Sequence, residues 1–293
     1  MKRSIFRNRW LPYLLLTPQL TVVLVFFFWP AFESLRLSVY RTSPFGDHQV
    51  FVGLKNFVDL MVAPEYHRSV LHSFIFSMGV TALGLTISLF LASLANQKIS
   101  GRPFYRTAIL WTYGIAPPVS GVIWLFIFHP SYGILTYALS MITAYEFNWL
   151  LKGWVAILLV ILAATWAHLG YNVAFFIAGL QTIPRSILDA AKVDGARGLS
   201  LLRNITLPLL SPVIFFLFIM NMVFSFFETF GIIHAVTQGG PGDATTIMVY
   251  KTFQDGFVHL RMGSSAAQSV ILMGIVVFLT VIQFQYTERK VFY

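Results

Sequence analysis

From its first residues the chain alternates long uncharged apolar runs with short polar gaps. Uncharged runs near the ~20 residues that a helix needs to cross a bilayer begin near Leu11, Ser69, Thr107, Gly153, Asn204 and Met262. They predict six membrane-spanning helices, at 12–34, 69–96, 106–129, 154–180, 207–235 and 264–287. The expected fold class is therefore all-α and membrane-embedded. Lys2, Arg3, Arg7 and Arg9 ahead of an apolar stretch superficially resemble a signal peptide. That stretch, Leu11 to Phe32, runs 22 residues without a charge, whereas a signal-peptide core has roughly 7–15. Phe26, Phe27, Phe28 and Trp29 near its end also suit a cleavage site poorly. It is read as a retained first span.

Thr107 to Tyr145 is uncharged for 39 residues, nearly enough for two short helices joined at His129–Gly133. The pattern leaves open an extra re-entrant or external helix there. Charge decides how many times this run crosses. With six spans, one side collects 13 Lys and Arg against three acids, Asp189, Asp194 and Glu288, and the other side seven of each. A second crossing would carry Arg185, Lys192, Arg197 and Arg203 to the opposite side, against the preference of basic residues for the cytoplasm. Six spans with both termini cytoplasmic is the expected topology. Pro18, Pro117, Pro118, Pro208 and Pro212 fall inside the predicted spans. Each costs roughly 3 kcal/mol in a helix interior in water, but membrane bundles accommodate proline where neighbours satisfy the freed carbonyls, so kinks are expected.

Composition agrees. Of 293 residues, 57% are hydrophobic and 11% charged, with mean hydropathy +0.74, against about 25% charged in a soluble domain. The net charge of +9 lies in gaps between apolar runs rather than on one basic face, which argues against nucleic acid as a partner. The chain has no cysteine, so disulfides and thiolate metal sites are excluded.

The most informative gap is 181–208. Pro184 suits a first helical turn, Ser186 and Asp189 form a capping-type pair, and a short helix should run through Val193. Gly195 and Gly198 should break it, because glycine reaches left-handed conformations cheaply. Leu199 to Ile205 should form a second helical piece, with Pro208 at the start of the next span. Such a helix–turn–helix would expose Ile187, Ala190 and Ala191 to a partner. On pattern alone a plain connector between two spans reads equally well.

Asp189-Ala190-Ala191, then Gly195, then Ile205-Thr206-Leu207-Pro208 resembles the EAA loop of binding-protein-dependent ABC importer permeases, with Asp189 in place of the usual Glu. Arg9 to Gln19, Phe51 to Phe57 and Gly239 to Thr245 resemble segments shared among sugar permeases related to those for maltose. Ser264 to Val270 and Glu288-Arg289-Lys290 resemble, more narrowly, the A-type permeases of glycerol-3-phosphate importers. The resemblance implies a type I importer permease fold and an ATPase-coupling loop. It also implies a second, different permease, an ATPase dimer binding ATP and Mg, and a periplasmic substrate-binding protein facing Gly239, Gly240, Pro241 and Gly242. Those four residues also read as plain tight turns. The expected organisation is residues 1–68 as tail, first span and external segment, 69–287 as a five-helix core, and 288–293 as a cytoplasmic tail.

None of the 20 glycines is followed by lysine, and a P-loop requires Gly-Lys-Ser/Thr. The chain is thus expected to be a transport subunit rather than an enzyme, without cofactor or metal of its own. Glu228, among Phe226, Phe227 and Phe230, reads as an acid deep in the fifth span, which costs at least ~2.5 kcal/mol and points to a translocation path or a structural pair. His168 and Asn172 stand one helical turn apart and could share a face with that path, although a polar pair in a span is more often interhelical glue. His72, His129, His234 and His259 fall near span ends. No metal-ligand spacing and no nucleophile–base arrangement stands out. A secondary carrier would show inverted repeats with broken helices in both halves, and a membrane enzyme a catalytic constellation; neither pattern is visible.

Overall fold

The computed structural model describes residues 10–43, 48–97, 101–142 and 148–290. Of the expected cytoplasmic tails, residues 1–9 and 291–293 lie outside the described residues. Among the described residues, five helices are long and apolar enough to cross a membrane: Leu11–Ser38, Pro64–Ala95, Gly153–Thr182, Gly198–Phe227 and Met262–Gln285. They are the first, second, fourth, fifth and sixth spans.

The third span departs from expectation. Instead of one helix over 106–129, Arg102–Gly114 and Pro117–Phe128 meet at a bend of 104°. The cause is local. A residue before proline is pushed out of the helical region, and Ile115 and Ala116 are both extended. Pro117 and Pro118 then sit in the first turn of the second piece, where the missing N–H costs nothing. They break the span rather than kink it. The uncharged run also holds a further short helix, Ile134–Ile142.

The fifth span ends earlier than the predicted 207–235. Its helix stops at Phe227, and Phe230–Val236 forms a separate turn of helix. At its other end the helix starts before the predicted limit, at Gly198, and passes through a π-helical stretch over Leu202–Thr206. The stretch leads directly into Pro208, and wider π turns often mark where an α-helical ladder is interrupted.

The chain divides into two compact units, residues 1–63 with 252–271, and residues 64–251 with 272–293. In the first unit, strands Tyr40–Thr42 and Gln49–Phe51 pair antiparallel, with Tyr40 opposite Phe51. Asn56 ties the base of this hairpin by donating to the carbonyls of Ser38 and Tyr40 at 2.8 and 2.9 Å. The Ser264–Val270 run has a structural role in this unit. Ser265 donates to the Thr252 carbonyl at 2.8 Å, and Gln268 to the carboxylate of buried Asp255 at 2.6 Å. The first span has no buried residue in its apolar window, so its surface is left for lipid or another chain.

The second unit is organised around the fourth span, 61% of whose apolar window is buried. Its face of Val155, Ala156, Leu159, Val160, Ala163 and Ala164 is wholly enclosed. Small residues permit this packing, as is usual between membrane helices. At Gly179, a Cβ would lie 2.9 Å from side-chain atoms of Leu210 and Val213. The second, fourth and fifth spans meet in a cluster of Ala92, Val173, Phe176, Ile177 and Leu217.

Candidate functional site

Between the fourth and fifth spans the chain folds as a short helix, Arg185–Val193, and a glycine turn. Pro184 takes the N-cap position in extended conformation. Ser186 therefore falls inside the helix, and the expected Ser186–Asp189 capping pair does not form. Asp189 instead accepts from Lys192 at 2.9 Å. At the C-terminal end, Gly195 N–H bonds the Lys192 carbonyl at 3.1 Å and Ala196 N–H the Ala191 carbonyl at 2.9 Å. This closure needs a left-handed residue, and Gly195 supplies φ of +88°. Gly198, at φ +52°, redirects the chain into the fifth span.

The exposed surface of this loop differs in part from expectation. Ile187 and Ala190 are exposed, but Ala191 is buried, with only 7% of its surface exposed. Val193 and Leu199, which sequence reasoning did not single out, are 87% and 76% exposed. Their signal was present: they are large apolar residues flanking the two turn glycines in a gap that also carries Arg185, Lys192, Arg197 and Arg203. Ile205 and Leu207 are half-buried and Pro208 exposed.

A second cluster lies on the fourth span. The ring of His168 stacks on Phe224 at 4.1 Å and on Tyr171 at 4.7 Å, with Tyr113 edge-on at 6.1 Å. His168 is buried, and its Nε2 has no hydrogen-bond partner among the described residues. Glu228 is not deep within a helix. It caps the C-terminus of the fifth span, its N–H bonded to the Phe224 carbonyl at 2.9 Å, and it is exposed. The helical ladder opens there, with ψ near zero at Glu228 (−6°) and Thr229 (−1°), before the next helix starts at Phe230. Aromatic faces and one imidazole are thus gathered where the fourth and fifth spans pack. Asn172 does not join them: it is fully buried and paired with Asn221.

The third candidate, residues 239–242, is a rigid turn. Gly239 and Gly242 have φ of +86° and +55°. A Cβ at Gly239 would lie 2.6 Å from the Thr246 hydroxyl. Thr245 and Thr246, both buried, donate to the carbonyls of Gly240 and Gly239 at 2.9 and 3.2 Å. The tip, Gly242 and Asp243, stays exposed. Among the described residues, no group of three or more His, Asp or Glu side chains is placed to hold a metal ion.

Residues 84–293 match the binding-protein-dependent transport system inner membrane component family. The chain belongs to this family. The permease is also 48% identical over 295 residues, covering 100% of both chains, to the sn-glycerol-3-phosphate transport system permease protein UgpA of Rhizobium meliloti (strain 1021). It is 46% identical over 291 residues, covering 99% of this chain and 98% of that one, to the protein of that name in Escherichia coli (strain UTI89 / UPEC), and 46% identical over 288 residues to that of Yersinia pestis bv. Antiqua (strain Antiqua), covering 98% and 97%. Its fold is similar to that of a chain in the crystal structure of a bacterial alginate ABC transporter in complex with an alginate pentasaccharide-bound periplasmic protein. The two share a TM-score of 0.79 at 19% identity, over 96% of the permease and 94% of that chain. The apolar spans and the family together make the permease a multi-pass membrane protein.

Proposed function

We propose that the permease carries sn-glycerol 3-phosphate, or a closely related glycerophosphodiester, across the bacterial inner membrane into the cytoplasm. The observation that carries this reading is full-length identity of 46–48% to curated sn-glycerol-3-phosphate permeases. A second permease, two ATPase subunits that bind ATP and Mg, and a periplasmic binding protein complete the assembly. The Arg185–Val193 helix and its glycine turn seat in an ATPase subunit. Exposed Ile187, Val193 and Leu199 support this, since apolar side chains on a basic loop are stabilised by a protein surface that covers them. ATP-driven closure displaces the loop, and the bundles rock between inward-open and outward-open states, the general transporter solution.

In this scheme Glu228, His168 and their aromatic neighbours face the path taken by the cargo. The rigid 239–242 turn, with its exposed tip, receives the binding protein. The test is the assembled complex in vesicles, with radiolabelled sn-glycerol 3-phosphate competed by glycerophosphodiesters and by maltose. Saturable, ATP-dependent uptake that the phosphodiesters compete for and maltose does not is the expected result. Uptake blocked by maltose alone would assign the permease to a different sugar importer.

A further inference from the structure

The two spans that flank the coupling loop are joined by a pair of amides that sequence reasoning did not connect. Asn172 on the fourth span and Asn221 on the fifth are wholly buried. The Asn172 Nδ2 donates to the Asn221 Oδ1 at 3.0 Å, and the Asn221 Nδ2 to the Asn172 Oδ1 at 2.8 Å. Asn221 Nδ2 also bonds the Leu217 carbonyl of its own helix at 2.7 Å. The second span covers the pair: a Cβ at Gly84 would lie 3.2 Å from both amide heads. Nearer the loop, the same two helices touch again where Gly179 meets Leu210 and Val213.

Position along the helices gives the pair its meaning. His168 lies one turn from Asn172, and Phe224 one turn from Asn221; their rings are the 4.1 Å stack. The register that the amides hold is therefore the register of the aromatic cluster. A slip of one residue displaces a helix by about 1.5 Å, enough to break both amide hydrogen bonds, which weaken steeply away from ~2.9 Å. An apolar contact would tolerate the same slip.

We propose that Asn172 and Asn221 are positioning residues that clasp the fourth and fifth spans into one lever. Displacement of the coupling loop is then delivered to the His168–Phe224 cluster instead of being lost in sliding between the helices. The proposal rests on the coupling reading given above. Its test uses the whole complex in vesicles and reads substrate transported per ATP hydrolysed, a ratio that a mere packing role leaves unchanged.

The double variant Asn172→Leu/Asn221→Leu suits the bilayer, and its complex should assemble. Transport per ATP should fall by about three- to tenfold, the range that interhelical hydrogen bonds in membranes support. A wild-type ratio would overturn the proposal. In this cysteine-free chain, Asn172→Cys/Asn221→Cys closed directly into a disulfide by molecular iodine, an apolar oxidant that enters the bilayer and leaves no linker in the buried site, should restore the ratio. Loss of transport on bridging would show that the helices must slide past each other, and would also overturn it. If the leucine pair blocks assembly, the bridged cysteines decide alone. A parallel Gly195→Asp arm separates the two layers. Wild-type transport there removes the coupling reading itself, whereas uncoupling there with an unaffected leucine pair removes only the clasp.

Discussion

Gly195 is held at φ +88° with nothing within 4 Å of where a Cβ would sit. Substitution there strains the backbone by roughly 1–2 kcal/mol but meets no atom of the permease. Gly195→Ala should therefore be tolerated in the membrane and lower transport modestly. Gly195→Asp should insert equally well yet lose most ligand-stimulated ATP hydrolysis, because it adds a charge to the surface that seats in the ATPase. Co-purification of the ATPase tells lost docking from lost transmission, and wild-type hydrolysis in Gly195→Asp would reduce the loop to a connector. Glu228 is a different case. The acid expected deep in a span is an exposed helix cap, so the desolvation argument for it weakens, while its place one turn beyond Phe224 of the aromatic cluster remains. Glu228→Leu should leave assembly intact and reduce uptake of sn-glycerol 3-phosphate; normal uptake would take Glu228 out of the path.

At the scale of elements, the coupling loop tests whether exposed apolar side chains mark the docking surface. Burying a Val or Leu side chain contributes about 1.5–3 kcal/mol. Val193→Glu/Leu199→Glu should then weaken retention of the ATPase by at least about tenfold on this account, measured as ATPase bound per permease after washing. Unchanged retention would place the contact elsewhere on the loop. This loop was largely legible in the chain, since Pro184, Gly195 and Gly198 are residues whose backbone preferences act locally. The direction of each side chain was less so. Ala191 is buried and Val193 exposed although they stand two residues apart on one short helix, a difference that no local signal reports. The third span shows the same limit. Hydropathy registers that Thr107–Tyr145 is apolar, but an apolar run reads alike whether straight or bent by 104°. Pro117 and Pro118 carried the signal, and reading them as kinks understated it. Asn172 was visible in its span, while its partner Asn221, 49 residues away in sequence, is fixed only by how the two helices pack.

For the whole molecule, the open quantity is which side of the membrane each loop occupies. Length and apolarity make a helix able to span but say nothing of direction. Charge does: the proposed cytoplasmic side holds an excess of ten basic over acidic residues and the other side none. Basic residues near span ends favour the cytoplasm, so the loop around Ser186 should be inside and the turn around Asp243 outside. The structure also chooses where to probe. Thr245 lies in the outer segment but is buried, with its hydroxyl bonded to the Gly240 carbonyl at 2.9 Å, so a thiol there would resist reagent from either side. Asp243 and Ser186 are both exposed. With no native cysteine to compete, an impermeant maleimide added to intact spheroplasts should label Asp243→Cys and spare Ser186→Cys until the membrane is opened. Labelling of Ser186→Cys in sealed spheroplasts would put the coupling loop out of reach of any cytoplasmic ATPase. The bend in the third span makes this a demanding test: if the two pieces at 102–114 and 117–128 turned back to the same side, every later loop would exchange sides and the labelling pattern would invert.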